Sequence, residues 1–397
     1  MIDGVVALLD AGTEYYTSVQ TNIPLAAMSE VIFTWFYNAF VRRAEDPPAQ
    51  TYVLGFDSEP MRAEKSLYDL ASEAKLQPSV RAALTDVRSD RLVELWRRGE
   101  PPQGAEQTAW SNWVNDFQKH LDRFGHAVYN LDFVNPVPAD EPSPLLDTVR
   151  FYLHGHGRDP HERQAQMAER REQATTAVLA RLGPARRSIF LRLLRWAQDV
   201  APVREDALAD VGLGWPQMRR MLAELGRRLA VAGVIERAED VYWLRHEELP
   251  NQTAVQSGQP GRDLRGQVAR RKQIWRGQRR ATPPQLLPKG VWFYGMDKMM
   301  PAVSEDQTGD VIKGIGASAG QVTAAARVLG GPQDFSQMQP GEVLVASITT
   351  PAWTSLFAMA SAVVTDIGGP LSHSSIVARE YGDPGRARYR RCDATDL

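Results

Sequence analysis

One segment, Val363 to Glu380 (VVTDIGGPLSHSSIVARE), restricts what this chain can fold into more than any other. A short β-branched run ends at Thr365, and Gly368 and Gly369 follow, which permit backbone conformations and close approaches closed to other residues. Ser372 or Ser374 can cap the next helix, and Ser374 to Glu380 suffices for about two turns of it. The pattern predicts strand, tight turn and helix, with His373 on the turn just before the helix N-terminus. That position offers free backbone N–H groups and the positive end of the helix dipole to a phosphate. A neutral imidazole nitrogen there can attack a phosphoryl group and form a covalent intermediate. The turn is expected to hold the ring outward, within reach of more than one partner. From residue chemistry alone, a core or capping histidine on a glycine turn fits as well.

The rest of the chain is mostly helical in pattern. Val31 to Arg43, Met61 to Ala74, Arg91 to Arg98 and Trp110 to Arg123 carry apolar residues at helical spacing. Asp159 to Arg181, with many opposite-sign neighbours, predicts a long exposed helix, and Ser188 to Gln198 an amphipathic one. Four prolines make Pro136 to Pro144 a linker or packed loop. From Val291 the texture changes to short β-branched runs between Gly and Pro turns, among them Glu342 to Ile348 and Ala362 to Thr365. The expected class is α+β multidomain: a mostly helical region over 1–280, a proline-containing hinge over 281–300, a β/α domain over 301–382, and a tail over 383–397.

Several function classes lose ground on composition. A net charge of −2 argues against bulk attraction to nucleic acid, although Ala207 to Leu244 has the outline of a winged helix: helix, glycine turn, helix, hairpin. A single cysteine, Cys392, rules out an internal disulfide framework and fits a reducing compartment. No apolar run reaches the roughly 18 residues that would span a membrane, and no signal-peptide core follows Met1, so a cytoplasmic protein is expected. His154, His156 and His161 lie close together but lack the partners and spacing of a metal site, and none is expected. His126 and the basic run Arg262 to Arg280 read as a packed or solvated histidine and a solvated face.

The segment around His373 resembles the signature of the PEP-utilising enzyme mobile domain, the swivelling histidine domain of phosphoenolpyruvate synthases, pyruvate phosphate dikinases and rifampicin phosphotransferases. Ser375 stands where that signature has alanine. Gly314 to Gly320 (GIGASAG), Gly341 to Val345 (GEVLV) and Thr349 to Phe357 (TTPAWTSLF) are similar to its other motifs, in order. Upstream, Phe56 to Ala71, Phe124 to His126 and Gly226 to Leu249 resemble the helical region of rifampicin phosphotransferase-like proteins, which binds the acceptor. The resemblance implies that His373 carries a phosphoryl group. It gives Gly368 and Gly369 the shaping of the phosphate loop, Ser372 and Ser374 the holding of phosphoryl oxygens, and Thr365 and Arg379 supporting roles toward ring and phosphate.

The resemblance also sets expectations about what lies elsewhere. ATP and magnesium would be bound by an ATP-grasp domain, in cis in the family, and this chain shows no convincing glycine-rich phosphate loop or carboxylate cluster for one. The small-molecule acceptor would be a compound such as rifampicin or pyruvate. After Gly382 the family continues with an apolar strand, whereas Asp383 onward reads DPGRARYRRCDATDL, which is not expected to form a buried strand. Codons chosen for this tail, shifted by one base, read Ile-Pro-Ala-Val-Leu-Gly-Thr-Gly, so a frameshifted and shortened tail is expected. An inactive truncated product and a separate phosphocarrier subunit served in trans stand as alternatives to a phosphotransferase fragment.

Overall fold

The computed structural model describes residues 2–130, 132–249, 262–280, 314–369, 372–382 and 385–387. The expected hinge over 281–300 lies outside the described residues. So do 388–397 and most of the polar stretch from Gln252 to Gly266.

The helical region runs α1 (Ile2–Phe40), α2 (Glu59–Lys75), α3 (Pro78–Asp86), α4 (Ser89–Arg97), α5 (Gln107–Phe124), α6 (Ser143–Leu153), α7 (Pro160–Leu179), α8 (Pro184–Asp210), α9 (Trp215–Val231) and α10 (Arg265–Gln278). Helix α5 shows why these segments fold as they do. The Glu106 carboxylate caps it by accepting from the amides of Thr108 and Ala109. Trp110, Trp113, Phe117, Leu121 and Phe124 recur at helical spacing and are buried. The first four meet Leu67, Leu70 and Ala71 of α2 and Leu146 and Val149 of α6 in one apolar core. The Trp113 indole is satisfied there by donating to the Leu70 carbonyl at 3.1 Å.

The second part is a small β/α domain. Among the described residues its sheet has the order β1-β5-β4-β3-β2. Strands β2 (Ala326–Leu329), β3 (Val343–Ala346), β4 (Ala362–Thr365) and β5 (Gly385–Ala387) pair in parallel, and β1 (Ile315–Ser318) pairs antiparallel with β5. Short helix α11 (Thr354–Phe357) connects β3 to β4, and α12 (His373–Tyr381) connects β4 to β5. The fold is therefore α+β, mostly helical with a small β/α domain following, as the texture of the sequence indicates.

Two expectations are corrected. The stretch after Gly382 does form strand, at Gly385–Ala387. A ladder asks only for backbone groups, and Gly385 fits where a Cβ would come within 2.9 Å of the Ala378 methyl. The hairpin that a winged-helix outline would place after α9 is a 3₁₀ turn, Ala238–Trp243, in which Asp240 accepts from the Arg237 amide and pairs with Lys272.

The described residues fall into two compact units. One gathers those of Met1–Thr17, Asp132–Val134 and Gly214–Ala302, built around Leu222, Leu225, Leu229, Ile235 and Val241. The other gathers those of Ser18–Leu131, Asn135–Leu213 and Val303–Leu397. Within this second unit the β/α domain packs on the helices. Tyr129 joins Phe335, Trp353, Phe357 and Tyr381 in one core, and Trp353 Nε1 donates to the Tyr129 carbonyl at 2.8 Å.

Gly55 is a fixed point of that packing. Its φ is +75°, and a Cβ there would lie 2.5 Å from the Ala168 backbone nitrogen, against α7. A Gly55→Ala substitution is expected to cost about 1–3 kcal/mol from backbone strain and clash. Chemical denaturation followed by circular dichroism would measure the loss; an unchanged midpoint would contradict this packing.

Candidate functional site

The parallel strands direct attention to one end of the small sheet. In such sheets ligands meet the chain beyond the carboxyl ends of the strands, and β4 ends at Thr365 just before the glycine turn. Gly368 holds φ 148°, within the range glycine favours. Ser372 is the N-cap of α12, and its hydroxyl accepts from the Ser375 amide. The alternative cap, Ser374, instead lies inside the helix. The hydroxyls form one network: Ser372 with Ser374 and Ser375 at 3.0 Å each, Ser374 with Thr365 at 3.3 Å, and Ser375 donating to the Gly369 carbonyl at 2.7 Å. Thr365 thus bonds a serine hydroxyl rather than the imidazole.

His373 is the first residue of α12 and is only 5% exposed. The outward ring expected from the turn is corrected here. Helix α8 covers the turn, and His373 Nδ1 lies 2.6 Å from Glu205 Oε2. A carboxylate accepts only, so Nδ1 carries the proton and donates it. Nε2 is then the lone-pair nitrogen, and it is buried without a hydrogen-bond partner among the described residues. The ring also meets the edge of Phe357, with centroids 6.1 Å apart.

Glu205 sits in a buried cluster of charge. Burial by itself would push its carboxyl up, but the neighbouring His373, with Arg204 and Arg379, holds it below the ordinary carboxylate value. Glu30 is shifted upward by burial, partly offset by Arg379 and Arg204. Beside them lies a cavity of about 50 Å³ whose lining includes Glu30, Phe56, Arg204, Glu205, Arg379 and Glu380. A small-molecule site usually offers about 300–1,000 Å³, so the cavity holds a few waters at most. The outer oxygens Glu30 Oε1 and Glu205 Oε1, together with Arg204 Nη1, have no hydrogen-bond partner among the described residues. Arg379 lines the cavity and donates to the Ala317 carbonyl at 3.2 Å.

The far end of α12 is anchored on the loop at Gly55 and on α7. Both Glu380 oxygens accept from the Gly55 amide at 3.3 Å. The Arg163 guanidinium stacks 3.7 Å from the Tyr381 ring centroid and pairs with buried Glu64, which also accepts from the Tyr152 hydroxyl at 2.7 Å. Helix α7 is therefore not exposed all round, as its charge pattern suggests: Arg163 and Met167 are buried. His126 is a packed histidine, buried with Nε2 3.7 Å from Asp210. His161 pairs with Asp69 at 2.9 Å, on an exposed surface.

Sequence comparison finds two family matches along the chain. Residues 338–385 match the PEP-utilising enzyme mobile domain, and residues 23–205 match the rifampicin phosphotransferase fourth domain. This chain joins those two domains. It is 30% identical to an uncharacterised phosphotransferase of Bacillus subtilis over 74% of its own length and 36% of that protein. With a rifampicin phosphotransferase of a Streptomyces species it shares 29% identity over 90% of this chain and 40% of the relative. With the prodigiosin-synthesising transferase of Serratia marcescens it shares 30% over 83% and 36%. The chain thus spans well under half the length of these relatives. Among the described residues, no helix is long and apolar enough to cross a membrane.

Glu205 was invisible in the sequence. Arg204-Glu205-Asp206 reads as an ordinary charged triplet on an amphipathic helix. Only the docking of a turn 168 residues away buries the glutamate.

Glu380 yields a pH prediction. Burial raises its carboxyl to about 7 from an ordinary 4.5, against the lowering effect of the Gly55 amide and of Arg163 and Arg379. A carboxyl raised in the folded state favours folding while it is protonated, and that contribution is lost as pH rises from 4.5 through about 7. The offset corresponds to roughly 3 kcal/mol at most. Glu380→Gln is expected to flatten the pH dependence of thermal unfolding above pH ~5 and to be the more stable form at pH ~8. Equal slopes for both proteins would contradict the assignment.

Proposed function

We propose that this chain carries a phosphoryl group on His373 from a nucleotide-binding domain to a hydroxyl-bearing small molecule. The observation that carries this reading is the polarisation of the ring. Glu205 accepts from Nδ1, and Nε2 is left as an unpartnered lone pair at the head of a helix.

The match to two domains of phosphotransferases supports the reading. In this proposal Nε2 would attack the β-phosphorus of ATP held, with magnesium, on an ATP-grasp partner domain; the bond from that phosphorus to the AMP oxygen breaks, and the γ-phosphoryl is lost to water as inorganic phosphate, which leaves the β-phosphoryl on Nε2. Gly368 and Gly369 shape the turn, the free α12 amides and the hydroxyls of Ser372 and Ser374 hold the phosphoryl oxygens, and Thr365 fixes Ser374. Arg379, beside Glu205 and the cavity, adds positive charge. The acceptor binds against the helices of the fourth-domain region, and rifampicin or a similar hydroxylic compound fits the names of the relatives. The cavity beside Glu205 is too small for such a compound, so the acceptor is placed elsewhere on those helices, and α12 lifts from α8 when the histidine goes to the nucleotide domain. The segment over 281–300 is the proposed hinge for that motion, and work in the cytoplasm, where ATP is available, is part of the same reading.

Incubating the chain with an ATP-grasp domain of a relative and ATP labelled at the β position is expected to place an acid-labile label on His373. The His373→Ala variant should take none. A label retained by that variant would overturn the proposal.

A further inference from the structure

Glu205 belongs to the helical region, not to the domain that carries His373, so the contact between them exists only while that domain is seated on the helices. This bears on the chemistry of transfer and rests on the reading of His373 as the carrier. We propose that Glu205 keeps the proton on Nδ1 of phosphorylated His373 in the seated arrangement, so that the ring departs as neutral imidazole when the phosphoryl group moves on.

The leaving group decides the rate. With Nδ1 protonated, the acceptor oxygen forms its bond to phosphorus while Nε2–P breaks, and the electron pair returns to Nε2. The ring is then a neutral imidazole still bearing its Nδ1 proton, and the acceptor's hydroxyl proton passes to solvent. With Nδ1 bare, the same step would expel an imidazolate, a far poorer leaving group.

A carboxylate at 2.6 Å from Nδ1 is placed to favour the protonated ring. Its environment is consistent with an ionised acid: Arg204 on α8 and Arg379 on α12 face it, against Glu30 on α1 and Glu380 on α12. On the remaining side the ring meets Phe357, which carries no charge. The pair is nearly dry, with both side chains about 5% exposed, so the interaction is little screened. Glu205 acts through His373 and is a positioning residue. It separates the two half-reactions, since loading on a nucleotide domain takes place away from α8 and needs no Glu205.

Phosphoramidate phosphorylates histidine without an enzyme and allows the full chain to be tested by itself. Phosphorus and ¹⁵N NMR of the loaded protein would follow both the phosphoryl lifetime and the protonation of Nδ1. In the unmodified chain Nδ1 is expected to stay protonated, and the lifetime to stay flat, from about pH 6 to about pH 8. In Glu205→Gln, His373 should load equally, but the lifetime should lengthen toward tenfold per pH unit once Nδ1 loses its proton. Identical profiles for the two proteins would overturn the inference, and so would a bare Nδ1 at pH ~8 in the unmodified chain, a readout that does not depend on the variant folding. Failure of His373 to load in the unmodified chain would instead overturn the carrier reading itself, and this inference with it.

Discussion

The hydrogen bond between His373 Nδ1 and Glu205, 2.6 Å long and buried, is the constraint around which the second unit is organised. It joins the head of a helix in the β/α domain to a helix of the other region. It fixes which ring nitrogen holds the proton, and it leaves Nε2 without a partner. Almost every other feature near the site follows from that arrangement. Ser372 caps α12, and Thr365, Ser374 and Ser375 satisfy one another and the glycine turn rather than the ring.

The bond orients, but it is not what holds the two regions together. Burying the carboxylate costs several kcal/mol in lost solvation, and its hydrogen bond from the imidazole only approximately repays it. Trp353, Phe357, Tyr381 and Tyr129, all nearly inaccessible, supply the favourable area. Each large apolar side chain so buried contributes about 1.5–3 kcal/mol. A seat that is apolar in energy and polar in geometry can release the turn without stranding a charge, because both partners return to water on separation.

Much of this was legible in the sequence, for physical reasons. Strand β4 is a run of small and β-branched residues of the kind enriched in strands, and it ends where glycine permits the turn. The apolar spacing of α2 and α5 placed their buried faces correctly. What escaped was tertiary. Whether Glu205 faces water or a histidine depends on which helix covers the turn, and nothing in its neighbours encodes that. Arg163 and Glu64 were hidden for the same reason: a charged residue in a charged helix looks solvated until a partner 99 residues away is brought against it. Strand β5 was missed because pairing draws on backbone groups, to which a run of arginines is indifferent.

The tautomer of His373 is the most direct measure of whether this seat exists. ¹⁵N chemical shifts of the imidazole in the intact, unphosphorylated chain distinguish a protonated nitrogen from a bare one. The geometry predicts a protonated Nδ1 and a bare Nε2 near neutral pH, with Glu205→Ala allowing the proton to exchange between the two. A ring that carries its proton on Nε2, or averages between both forms in the unmodified chain, would contradict a Glu205-held histidine and the phosphoryl chemistry built on it.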